Sequence, residues 1–119
     1  MVLTLLPTMA LATGAGTNGD PCTTAEELAA ALGGNSVATA NGSTVTMSAS
    51  ITALAATIYV APVSDITLDL NGKSITGANG GEGQKGITPL NVVADSAGKL
   101  MLTGSGTITG GSGGSQAGR

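Results

Sequence analysis

Residues 66–77 constrain the fold more than any other stretch of this chain. Ile66, Leu68 and Leu70 alternate with Thr67 and Asp69. A period of two puts the three aliphatics on one face of a strand and the polar pair on the other. Asn71-Gly72 then turns the chain, and Ser74-Ile75-Thr76 opens a second short strand. A looser copy occupies residues 100–110, with Leu100 and Leu102 in the alternating positions, Gly104-Ser105-Gly106 at the turn and Thr107-Ile108-Thr109 after it. Upstream, Val45 and Met47 alternate with Thr44, Thr46 and Ser48. Leu102 follows Leu68 by 34 positions (102 − 68), whereas Leu68 follows Val45 by 23 (68 − 45). Short strands repeated at uneven intervals predict coils of a solenoid joined by loops of variable length.

The rival is an antiparallel sandwich, because Asn-Gly between two alternating runs is the strongest short hairpin signal. A two-residue loop at Asn71-Gly72 would pair Leu68 with Ile75, which is favourable, and Leu70 with Lys73, which is not. The second copy has Gly-Ser-Gly in place of Asn-Gly, so the loop length a tight hairpin needs is not kept. The pattern therefore favours coils over hairpins. Composition agrees. Phe and Trp are absent and Tyr59 is the one aromatic, so the interior is built from Ile, Leu, Val, Met and Ala, which suit a narrow layered core. Twenty glycines among many Ser, Thr and Asn predict frequent turns.

In chain order, residues 1–12 form an apolar run too short to span a bilayer and end in Ala10-Leu11-Ala12, a small-x-small cleavage pattern. No Lys or Arg precedes the run. A truncated signal peptide is favoured over a buried strand, because residues 13–21 are small, polar and glycine-rich like a linker. Residues 22–34 are the one helix candidate. Thr23 and Thr24 each have a glutamate three positions on, Glu26 and Glu27, and either pair makes a capping box. Ala25, Leu28 and Leu32 share a face, and Gly33 is placed to end the helix. Ile58 and Val60 define a further strand stopped by Pro62. Residues 78–86 read as a solvated glycine-rich loop, and 87–93 as a weaker apolar run. Residues 111–119 read as a disordered Gly/Ser tail.

The run Leu68-Asp69-Leu70-Asn71-Gly72-Lys73-Ser74-Ile75-Thr76-Gly77, with its Gly-Ser-Gly-Thr-Ile-Thr-Gly copy, resembles the coils of secreted bacterial right-handed β-helix proteins of the pectate-lyase-like superfamily. The segment Thr24-Ala25-Glu26-Glu27-Leu28-Ala29-Ala30-Ala31-Leu32 is similar to the amphipathic helix that caps the N-terminal end of such solenoids. The resemblance implies an all-β fold over residues 22–110, a right-handed parallel β-helix of about three coils with a short capping α-helix. It also implies a bacterial extracellular or cell-surface location, and an N-terminal piece of a longer solenoid. Function does not follow from the fold, since the superfamily holds lyases, glycoside hydrolases, tailspikes and non-catalytic surface proteins.

Reactive groups are scarce. With no histidine, no His-based triad or metal site can form. Cys22 has no partner base and cannot form an intrachain disulfide. Gly72-Lys73 lacks the spacing of a phosphate-binding loop. Charged residues are 9% of the chain, the net charge is −3 and the single arginine is Arg119; a nucleic-acid partner would require clustered cations and stacking aromatics. Asp65 and Asp69, four apart beside one strand, are the carboxylates of interest. Such a pair can hydrolyse a glycoside or hold calcium, but two solvated acids is the simpler reading. Lys73, the nearby cation, sits in a turn and takes no catalytic role. Outward Thr44, Thr46, Thr67, Thr76, Thr107 and Thr109 fit the pleated surface. No catalytic, metal or cofactor-binding residue is assigned. The expected function is a non-catalytic extracellular scaffold or adhesin segment that meets a cell-surface glycan or protein. The alternative is the N-terminal portion of a polysaccharide lyase or glycoside hydrolase with its catalytic coils downstream.

Overall fold

The computed structural model describes residues 15–114; the expected signal peptide at 1–12 and residues 115–119 lie outside them. The helix forms as α1, Ala25–Leu32. Thr24 caps it, its Oγ1 accepting from the Glu27 amide at 3.2 Å. Glu27 reaches back one residue further than a simple capping box: its Oε1 accepts from the Thr23 amide at 2.7 Å and the Thr23 hydroxyl at 3.0 Å. Of the two boxes the sequence allows, Thr24 with Glu27 is the one that forms. Gly33 ends the helix with φ +140, and a short 3-10 turn at Gly34–Ser36 follows. Ala25, Leu28, Ala29 and Leu32 are buried.

Nine strands follow among the described residues: β1 Ala38–Asn41, β2 Thr44–Met47, β3 Ile51–Leu54, β4 Ile58–Val60, β5 Ile66–Asp69, β6 Ser74–Gly77, β7 Leu90–Val92, β8 Leu100–Thr103 and β9 Thr107–Thr109. They form three sheets, ordered β1-β2-β5-β8, β3-β6-β9 and β4-β7. From β2 onward the chain visits the first, second and third sheet in turn, does so again from β5, and from β8 visits the first and second. Every pairing is parallel except β1 with β2. Each strand therefore lies against its counterpart from the previous passage.

The register stacks like on like. Val45 lies beside Leu68, and Leu68 beside Leu102. Ile66 lies beside Leu100, Ile51 beside Ile75, Ile75 beside Ile108, and Ile58 beside Leu90. Val45, Met47, Val60, Leu68 and Ile75 have no exposed surface, and Ile66 is 2% exposed. Period-two alternation thus delivers one continuous core. Helix α1 packs on β1, β2 and β4 and covers the start of that core.

Asn71-Gly72 is a tight turn, with φ +51 and +78 and the Lys73 amide donating to Leu70 O at 2.8 Å. It is a corner and not a hairpin. Both edges of β5 are taken, by β2 and β8, so β6 pairs with β3 and β9 instead. Among the described strands the one hairpin is β1–β2, turned by Gly42-Ser43. The uneven spacing has a physical source. The extra residues lie between β6 and β7, in the glycine-rich loop read at 78–86.

Two terminal stretches are tied down more than their composition suggests. In the expected linker, the Gly16 carbonyl accepts from the Tyr59 amide at 2.9 Å, and just after it the Cys22 amide donates to Tyr59 O at 2.9 Å, so this segment adds to β4. In the expected tail, the Gly111 amide donates to Ile87 O at 3.0 Å and the Gly114 amide to Gln84 O at 2.8 Å. Glycine permits both by letting backbones approach closely.

Candidate functional site

Asp65 and Asp69 do not converge on a common task. Asp65 Oδ1 accepts from the Lys99 amide of the next passage at 3.0 Å. Asp69 Oδ1 accepts from the Asn71 amide at 2.9 Å, an Asx turn that sets the corner. Both carboxylates serve the backbone of the turns beside them. The same device recurs at other corners. Asn71 Nδ2 donates to Met47 O at 2.9 Å, Ser50 Oγ accepts from the Ser74 amide at 3.0 Å, and Asn79 Oδ1 accepts from the Ser112 amide at 2.8 Å. Short polar side chains at corners thus satisfy backbone amides, and at Met47 a carbonyl, between one strand and the next. Among the described residues, no group of three or more Cys, Asp or Glu side chains is placed to hold a metal ion.

A polar depression of about 180 Å³ lies at the N-terminal end of α1, where Thr23 and Glu26 face Ser43, Ser64 and Asp65. It is smaller than the usual pocket for a drug-sized ligand. Hydroxyls and carboxylates there offer donors and acceptors to a polyhydroxylated surface group. Its floor depends on the cap. Replacing Thr24 by alanine leaves the Glu27 amide without its acceptor, and is expected to lower stability by about 1 kcal/mol. A chemical-denaturation midpoint reads this directly, and Thr24→Ser should restore most of the loss.

A second concavity of about 370 Å³ lies between Ala15, Gly16, Ala30, Ala31, Leu54 and Ile58. It is shallow and lined mainly by small apolar groups. Beneath this end of the molecule sits Cys22, fully buried. Burial, with the nearby charges of Glu27 and Asp20, pushes its thiol up to about 12. The neutral thiol is not a nucleophile. Its folded pKa lies above the unfolded value, so folded stability is unaffected below about pH 8.5 and is progressively lost as pH rises from there toward 12. Denaturation midpoints measured from pH 8 to 11 should fall more steeply for the native chain than for Cys22→Ala. A thiol reagent should react only after unfolding.

The outward threonines pair across strands: Thr44 beside Thr67 and Thr76 beside Thr109. The rows are short, and Met101 breaks the first beside Thr67.

The two ends of the stack contrast. At one end α1, β1 and the Cys22 segment cover the core. At the other, β8 and β9 have no strand beyond them among the described residues. Leu102 is 55% exposed and Met101 52%, whereas Leu68, one strand earlier, is fully buried. The repeat carries the signal, since Leu102 copies a core position and no later strand among the described residues stacks upon it. No helix among the described residues is long and apolar enough to cross a membrane. In comparisons with protein-family models, curated proteins and solved structures, the chain matches none.

Proposed function

We propose that this chain is a non-catalytic extracellular scaffold or adhesin segment, built as the helix-capped N-terminal end of a right-handed parallel β-helix of the pectate-lyase-like kind. The observation that carries this reading is the in-register stack Val45–Leu68–Leu102, repeated as Ile51–Ile75–Ile108 on a second sheet. Parallel strands visited in a cycle, with aliphatics inside and turns at the corners, are what a coil needs to bury its core against its neighbour. The corner carboxylates and amides are spent on backbone bonds, which suits a scaffold. The partner is a bacterial cell-surface glycan or protein, met at the polar depression beside α1 and along the outward threonine rows. The protein is screened on a glycan array and on bacterial cells, and incubated with soluble polysaccharides. Retention on a glycan or cell surface without product release is the expected result, and turnover of any polysaccharide by this chain overturns it.

A second reading draws on the uncovered β8–β9 end: the chain is the N-terminal portion of a polysaccharide lyase or glycoside hydrolase. Reading the coding sequence past codon 119 separates the two. Further coils with clustered Asp, Arg and Lys favour the enzyme, and a sorting signal or surface-layer module favours the scaffold.

A further inference from the structure

We propose that the β8–β9 end is a strand-addition surface, and that its occupant is a two-strand segment with aliphatic side chains at its inward positions, running parallel to β8 and β9. The proposal rests on the coil reading above and specifies what that end recognises.

Backbone parity shows where the free groups point. The Ile66 and Leu70 amides of β5 donate toward β8, to Lys99 O and Thr103 O, at 2.8 and 2.9 Å. The Thr67 amide donates the other way, to Ser43 O beside β2, at 2.9 Å. Leu100 and Leu102 occupy the positions of Ile66 and Leu68. Their amides and carbonyls therefore face the free edge, while those of Met101 and Thr103 face β5. On the second sheet the Thr107 amide turns toward Lys73 O of the β6 passage, which leaves the Ile108 amide at the free edge. The recognition groups are thus three outward-facing amides with their carbonyls, flanked by the inward aliphatics Leu100, Leu102 and Ile108.

The chemistry of the occupant follows from continuity with the two pairings already made. Each earlier tier set an aliphatic against an aliphatic: Val45 with Leu68, Leu68 with Leu102, Ile75 with Ile108. A charged side chain opposite Leu102 would be desolvated without a partner. Exposed strand edges that are meant to stay free are kept very short or carry lysine, proline or a bulge within the strand. Leu100–Thr103 and Thr107–Thr109 contain neither a charged residue nor a proline, and Lys99 stands before β8. Apart from their shortness, the two strands carry no guard against pairing.

The test uses the intact protein and a synthetic peptide of residues 66–77, whose Leu68 and Ile75 would stack on Leu102 and Ile108. Amide exchange is followed by NMR at a fixed low protein concentration. With the peptide in excess, the Leu100, Leu102 and Ile108 amides should slow by about tenfold or more, while Met101, Thr103 and Thr109 change little. A peptide carrying Leu68→Asp should have no effect. Two results overturn the proposal: no slowing at those three amides with the native peptide, or slowing that grows with protein concentration alone, which would make a second copy the occupant. The glycan and turnover assays do not depend on either result, so the failure of this proposal is distinguishable from failure of the scaffold reading.

Discussion

Leu68→Ala should destabilise the protein by about 3 kcal/mol, through lost transfer energy and the cavity left between its neighbours. Leu68 has no exposed surface and lies in register between Val45 and Leu102. Leu102→Ala removes the same atoms one strand later, from a side chain that is 55% exposed. Its cost should stay below about 1 kcal/mol, because little of that surface leaves water on folding. Urea denaturation of the two variants gives the comparison, with an unchanged slope showing that the denatured state is the same. Similar losses at the two positions would mean that the end of the stack is not open. The contrast isolates stacking from composition, since both variants are Leu→Ala in equivalent strand positions.

Gly106→Ala should cost about 2–4 kcal/mol, from backbone strain and steric overlap together. Gly106 has φ +137, and a Cβ there would land on the Lys73 carbonyl oxygen and stand 2.9 Å from Leu70 Cβ. Those atoms belong to the preceding corner, so the overlap is between two passages of the chain. Because β9 begins at the next residue and pairs from Ser74–Thr107 onward, the damage should appear as loss of amide protection at Thr109. Gly42→Asn is the control. Gly42 has φ +65 with no atom within 4 Å of its added Cβ, and asparagine tolerates that conformation. It should cost only about 0.5 kcal/mol. Equal effects at Gly42 and Gly106 would show that positive φ alone matters and that the corners are not closely stacked.

Much of the secondary structure is legible without coordinates. The alternation in β2, β4, β5 and β6 is strict enough to assign inward and outward side chains one by one, and burial of Val45, Val60, Leu68 and Ile75 follows it. The cap at Thr24 is legible because hydroxyl and carboxylate spacing is a local matter. Strand β1 is not. Ala38-Thr39-Ala40-Asn41 has little hydrophobic contrast, and it becomes a strand because β2 offers it an edge and α1 packs over it. Strand β3 is equally faint, and the register shifts between Ile51 and Leu54, which disturbs the alternation that would reveal it. The candidate site was less legible than the fold. Asp65 and Asp69 look like a reactive pair when spacing alone is considered, yet their partners are backbone amides of Lys99 and Asn71. One of those donors is thirty-four positions away, beyond the reach of any local pattern.

Two of the four Asn-Gly dipeptides, Asn41-Gly42 and Asn71-Gly72, mark the division most clearly. Sequence by itself determined that the chain bends at Asn71-Gly72 and which side chains flanking it point inward, because turn propensity and a period of two are properties of a few adjacent residues; Asn41-Gly42 has the same local propensity. Tertiary structure alone decided that Asn41-Gly42 joins two paired strands and Asn71-Gly72 separates two sheets. Near Asn41 the edge of β2 was free to take its neighbour. At Asn71 both edges of β5 were already hydrogen-bonded to strands from the passages before and after, and a backbone edge can be occupied only once.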